Sequence, residues 1–211
     1  MIPPKGYQEE ISSIISLFSE GNITEALSIS EVLIKTYPSE ATLFNIRGAC
    51  FAALGQFDFA VENYKKALYI KPNYAKAHFN LAGTLQDLGK LNDAVKSYEH
   101  ALQIDPNYSE AHNNLGNVLK DLDLNEAAVK SYESAIAINP NYVEAHYSLG
   151  IALKDLGKLD EAVKKFKVVL AIKPNFAEMH NNLGVILQEL DQLDSAVNHF
   201  EQALSIKPDF F

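Results

Sequence analysis

Six of the eight prolines in this chain stand at Pro38, Pro72, Pro106, Pro140, Pro174 and Pro208, each 34 residues after the one before. The text around them recurs as PNYAKAH, PNYSEAH, PNYVEAH and PNFAEMH. Other columns keep the same step. An alanine column runs through Ala26, Ala60, Ala94, Ala128, Ala162 and Ala196, and an aromatic column through Tyr64, Tyr98, Tyr132, Phe166 and Phe200, with Ser30 in the first place. A fixed period of this length means stacked supersecondary units, none of which buries its apolar face alone. The period sets a short tail at 1–6 and units at 7–40, 41–74, 75–108, 109–142, 143–176 and 177–210.

Each unit reads as two helices. In 75–108, Ala77, Leu81, Leu85 and Leu88 form one helical stripe, and Ala94, Tyr98, Ala101 and Leu102 form a second. Between them Gly89 suits the left-handed residue past a helix end. Asp105-Pro106 stops the second helix, because proline lacks an N–H and restricts the residue before it. Asn107 with Glu110, Asn141 with Glu144 and Asn175 with Glu178 are expected to form capping boxes. Helices of about 12–14 residues are marginal in water on their own, so stacking must hold them. The small residues Gly48, Ala82, Gly116, Gly150 and Gly184 are expected to let paired helices close up, and the Tyr/Phe column to fill the space between them. The fold class is all-α, a solenoid of six helix hairpins.

Composition narrows the function. A net charge of −9 argues against nucleic acid, where neutralising phosphates dominates affinity. No apolar run reaches the ~18–20 residues of a membrane span, and the start MIPPKGYQEEISS has no basic region followed by an apolar one. The single cysteine, Cys50, excludes an internal disulfide framework and a multi-thiolate metal site, and fits a reducing, cytoplasmic setting. Cys50 lies in an apolar run with nothing basic beside it, as a buried inert thiol would. There is no nucleophile elbow, no phosphate-cradling glycine loop and no HExxH, so neither catalysis nor a cofactor is expected.

The 34-residue period, the small/large pairing and the closing proline resemble the tetratricopeptide repeat (TPR) family. Its Leu-Gly pair stands at Leu115-Gly116, Leu149-Gly150 and Leu183-Gly184, and its Ala, aromatic, Ala, Pro series at Ala94, Tyr98, Ala101 and Pro106. The likeness is strong over 41–210 and weak over 7–40, where Ser13, Ile14 and Ser30 depart from the columns, as suits a capping unit. Val169 replaces one alanine, and Asp123-Leu124-Asn125 replaces a Gly-Lys-Leu turn and is expected to shift that loop. His78, His112, His146 and His180 fill the family's tryptophan column, as in the repeats of protein O-GlcNAc transferases, which these units resemble most. The resemblance implies a right-handed superhelix whose first helices line a concave groove. It also implies a non-catalytic role, binding protein or peptide partners in that groove.

A shared zinc needs each nitrogen at about 2 Å, whereas histidines one whole unit apart stand roughly 10–20 Å from each other. The column therefore reads as packing, and His100 and His199, in other columns, are expected to be exposed. Asn80, Asn114 and Asn182 share a column with Ser148. A primary amide both donates and accepts, so such a ladder can hold a peptide backbone whatever its side chains. The resemblance to O-GlcNAc transferases implies that role here, with Asn113 and Asn181 extending the lining. The plainer reading is that these amides bond to the adjacent unit. Asn45, Phe79, Asn113, Tyr147 and Asn181 occupy the column where chaperone-tail-binding relatives carry a clamp lysine. None is basic, so acidic C-terminal tails are not the expected ligand. Glu110, Glu144 and Glu178 edge the groove, partly offset by Lys120 and Lys154.

Three readings stay open. The chain is a stand-alone binding scaffold, or the substrate-recruiting arm of a larger glycosyltransferase- or sulfotransferase-type enzyme, or a self-assembling repeat. The ending Asp209-Phe210-Phe211, one residue into a seventh unit and without a covering polar helix, fits a truncated chain or end-to-end self-association.

Overall fold

The computed structural model describes residues 6–209; residues 1–5 of the tail and Phe210 and Phe211 at the end of the last unit lie outside the described residues. Among the described residues there are twelve helices and no strand. By contact the chain divides into two compact units, Met1–Pro106 and Asn107–Phe211. The first holds α1 (Tyr7–Ser19), α2 (Ile23–Thr36), α3 (Ala41–Ala53), α4 (Phe57–Ile70), α5 (Ala75–Asp87) and α6 (Leu91–Ile104). Each packs on the next, with α1 also against α3 and α3 against α5. The second holds α7 (Ser109–Asp121), α8 (Asn125–Ile138), α9 (Val143–Asp155), α10 (Leu159–Ile172), α11 (Ala177–Glu189) and α12 (Leu193–Ile206), packed the same way, with α7 also against α9.

The small/large pairing works at atomic contact. A Cβ built on Gly150 would stand 2.2 Å from Cε1 of Phe166, and one on Gly116 would stand 2.6 Å from Cε1 of Tyr132. The ring stands within the space a Cβ would need, so nothing larger than glycine fits at these places without moving it. Tyr64, Tyr98, Tyr132 and Phe166 are all buried, as are Ala60, Ala94, Ala128 and Ala162 one turn before them on the same helices. In the second unit these residues join Leu149, Met179, Leu183 and Ile186 in one continuous core.

The turns inside the hairpins show how one backbone need is met by two residue types. Gly89 has φ +70° and Gly157 +72°, while Asp123 has φ 59° and Asp191 φ 58° at the corresponding places. The loop at Asp123-Leu124-Asn125 is therefore not shifted: aspartate tolerates the left-handed conformation and the hairpin keeps its register. The expected capping boxes are not formed. The N-cap positions of α7, α9 and α11 are Tyr108, Tyr142 and Phe176, with no side-chain cap. Asn107, Asn141 and Asn175 fall one residue too early, inside the turn after the proline, and Asn141 instead donates its backbone N–H to Oδ1 of Asn139 at 3.3 Å.

Candidate functional site

The histidine column secures first helices to the loops before them. Nε2 of His78, His146 and His180 lies 3.0, 2.9 and 3.1 Å from the carbonyl oxygens of Pro72, Pro140 and Pro174. His146 and His180 are buried. His100 is exposed and its ring stacks on His78, with centroids 5.3 Å apart. His199 departs from expectation: it is half-buried and its Nδ1 lies 2.9 Å from Nδ1 of His180. Burial lowers the pKa of His199, and His180 and Lys167 lower it further. Burial also lowers that of His78, against the bond to Pro72, with His100 adding to the fall. Cys50 is fully buried, and burial pushes its thiol up to about 11, which leaves it unreactive at neutral pH.

The amide column differs from unit to unit. In the first unit, Asn80 on α5 donates from Nδ2 to Oδ1 of the buried Asn45 on α3 at 3.0 Å. In the second, Asn113 on α7 is buried and donates from Nδ2 to Oδ1 of Asn114 at 3.2 Å, while its own Oδ1 has no hydrogen-bond partner. Ser148 on α9 bonds the hydroxyl of Tyr132, which in turn donates to Oδ1 of Asn117 at 2.8 Å. Burial raises the Tyr132 hydroxyl to about 12, with the Ser148 bond pulling it down and Asp121 pushing it up. Asn114, Asn181 and Asn182 are half-buried. Lys120 is half-buried and pairs with Asp155 at 3.3 Å; Lys154 is half-buried.

Asn113, Asn117 and Ser148 line a cavity of about 360 Å³ on the first-helix face of the second unit. Its apolar walls are Val143, Tyr147 and Phe176, with the rings of Tyr147 and Phe176 6.2 Å apart. Glu144 and Lys173 complete it and pair with each other at 3.5 Å. Of the expected site residues, the structure thus brings Asn113 and Ser148 to one cavity, and sets Asn114 beside Asn113. Sequence reasoning missed Asn117, Lys173 and Phe176 as members, and read Tyr147 only as the lack of a clamp lysine. A signal for Asn117 existed: its column otherwise holds Ala49, Gly83, Ile151 and Val185, so it is the one polar residue there. Among the described residues no group of three or more metal-ligating side chains lies together, and no helix is long and apolar enough to cross a membrane.

Repeating helix hairpins closed by a glycine–aromatic contact, with amides on the first helices, define a helical-repeat protein of the tetratricopeptide class. Family models described as TPR repeat match residues 48–89, 84–123, 125–157 and 152–191, and one described as Tetratricopeptide repeat matches 177–210; the chain belongs to this family. Among solved structures it is similar to MamA, at 31% identity over 76% of this chain and 94% of that one, with a TM-score of 0.74. It is also similar to YrrB, described as a TPR protein with an unusual peptide-binding site, at 24% identity over 86% of this chain and 93% of that one, with a TM-score of 0.75. PilF of Pseudomonas aeruginosa shares the fold at 19% identity over 96% of this chain and 92% of that one, with a TM-score of 0.84. Among curated proteins no match is found.

Proposed function

We propose that this protein is a non-catalytic scaffold that binds an extended peptide segment of a partner protein, in the cytoplasm, across the faces formed by its first helices. The observation that carries the reading is the pair of amides on α7. Asn113 has a buried oxygen without a donor, which a turn of the amide brings to the surface, and Asn117 has its oxygen taken by Tyr132, which leaves its NH₂ as the group to offer. Residues four apart on a helix have Cβ atoms about 5–6 Å apart. An extended chain rises about 3.3 Å per residue and turns the same edge outward every second residue, about 6.6 Å on, a comparable interval. One acceptor and one donor at that spacing read a backbone, not a particular side chain. Asn114, Ser148 and Asn182, with Asn181, Lys120 and Lys154 beside them, continue the polar lining. Asn80 takes the same part in the first unit through the lone pairs and hydrogen that its bond to Asn45 leaves over. The kinship of these amides to the ladder of O-GlcNAc transferases belongs to this proposal, as does a place as the recruiting arm of a larger enzyme.

Replacing Asn114, Asn117 and Asn182 together by Ala, with Asn80 left in place because it holds Asn45, weakens binding of array-selected peptides while the circular dichroism spectrum is kept. Unchanged affinity would dismiss the reading. A second reading, end-to-end self-association, is favoured by α12. Its Leu193, Val197 and Leu204 are exposed, whereas at the same places on α10 Val163 is buried and Leu159 and Leu170 are half-buried. Light scattering against concentration tests it: a mass fixed at the monomer removes it.

A further inference from the structure

The cavity beside Asn113 has a shape and charge that the backbone-reading amides do not account for. We propose that it is a side-chain pocket, which takes one uncharged aromatic or branched aliphatic residue of the bound peptide against the adjoining rings of Tyr147 and Phe176. The inference rests on the peptide-binding reading above and adds its selectivity.

Three observations support it. The walls that a guest side chain would touch are Val143, Tyr147 and Phe176, and the two rings stand 6.2 Å apart at 31° to each other, in contact, so that they form one continuous apolar wall. Among the described residues, the charged groups that line the cavity are Glu144 and Lys173, and they already pair with each other at 3.5 Å. A charged guest would meet one like charge and compete with an existing partner for the other, while an uncharged guest leaves the pair intact. The volume, about 360 Å³, lies at the small end of ligand sites, which suits one side chain and its flanking backbone better than a cofactor. Asn113 then supplies registry. Asn113 lines the same cavity, and its Oδ1 is buried there without a partner, so a turn of the amide toward the cavity lets a peptide N–H bond to it and sets which side chain rests on the rings.

Ordering of that side chain is coupled to the amides through one chain of contacts. Tyr147 packs against Phe166 at 6.2 Å, and Ser148, the next residue on α9, holds Tyr132, which orients Asn117. Pocket and backbone reader therefore share a rigid wall on α9, as a preorganised site needs.

The test is to pan a phage-displayed library of random dodecapeptides on the full chain and measure the selected peptides by calorimetry. Enriched sequences are expected to share one position holding Phe, Tyr, Leu or Ile, without charge beside it. Changing that position to Ala should weaken binding about tenfold or more. Tyr147→Ala should weaken the parent peptide by a similar factor yet leave the Ala-substituted peptide almost unaffected, since the two changes remove the same contact. Phe176→Ala, at a half-buried position ahead of α11, serves as the second variant if Tyr147→Ala fails to fold. Selected peptides that need Asn117 but ignore Tyr147, Phe176 and their own apolar residue would overturn the pocket and leave the scaffold reading standing. No recovered peptide, or peptides indifferent to Asn117 and Tyr147 alike, would overturn both.

Discussion

In the first unit Asn45 on α3 accepts a hydrogen bond from Asn80 on α5, so amides of successive first helices satisfy each other. In the second unit the matching residues are Asn113 on α7 and Ser148 on α9, and the bond is missing. Serine is too short to reach back along the column, and its hydroxyl goes to Tyr132 instead. Asn113 keeps an unpartnered oxygen, and Asn117, where the first unit has Ala49, adds a second amide beside it. The aromatic just before Asn80 and Ser148 is present in both, as Phe79 and Tyr147. One repeat backbone thus yields a closed amide pair in one unit and an open, cavity-lined pair in the other, through changes of side chain at three places, Asn80 to Ser148, Ala49 to Asn117 and Ile46 to Asn114. The repeat columns set the hairpin; the residues between columns set what it can hold.

That contrast can be attacked at several points. If the hairpin is common to both units, Ala94→Leu and Ala128→Leu should each cost about 1–3 kcal/mol by overpacking against the neighbouring first helix. Chemical denaturation reads this, and a variant that melts like wild type would count against the shared geometry. Asn80→Ala should cost about 1–3 kcal/mol, because it strands the buried oxygen of Asn45, whereas Asn117→Ala should cost less and show its effect in peptide binding. Equal stability losses would erase the distinction between the units. Ser148→Asn sharpens it: the longer side chain can donate to Oδ1 of Asn113 as Asn80 does to Asn45. Stability should rise by about 0.5–1.5 kcal/mol while affinity for selected peptides falls. A gain in affinity would show that Asn113 is not the acceptor.

The smallest effect expected is on acid stability, and both units share it. His78 and His199 have folded pKa values below the ordinary 6.5, so the unfolded chain binds protons more readily there. Their contribution is present in full above about pH 6.5 and is lost as pH falls toward the lowered folded values. His199→Gln should flatten the part of the melting-temperature profile between about pH 7 and 5 that comes from the second unit. An unchanged slope would mean that the His180–His199 contact carries no proton linkage.

Much of the fold was legible because it rests on local constraints repeated at one step. Pro106 and its counterparts end helices by chemistry that needs no partner, and Gly89 marks a turn that only a few residue types can make. The capping boxes failed for a related reason: the turn after each proline is one residue longer than a capping box allows, so Tyr108, Tyr142 and Phe176 take the cap position. Aspartate at 123 kept the loop that its difference from glycine suggested would move. The site was legible only in part. Asn113 and Ser148 could be placed on the first-helix face from their columns. The cavity depends on Phe176 and Lys173 arriving from the loop ahead of α11 and on Tyr132 orienting Asn117 from another helix, contacts with no sequence spacing of their own. His199 was misplaced for the same reason, since its partner His180 lies 19 residues away on the facing helix.

The account turns on one location, and amide chemical-shift mapping on the isotopically labelled chain with a panned dodecapeptide addresses it directly. The largest shifts should fall on the side-chain amides of Asn113 and Asn117 and on the backbone of Tyr147 and Phe176, with α12 silent. Shifts concentrated on the exposed residues of α12, or on the outer faces of the second helices, would contradict it.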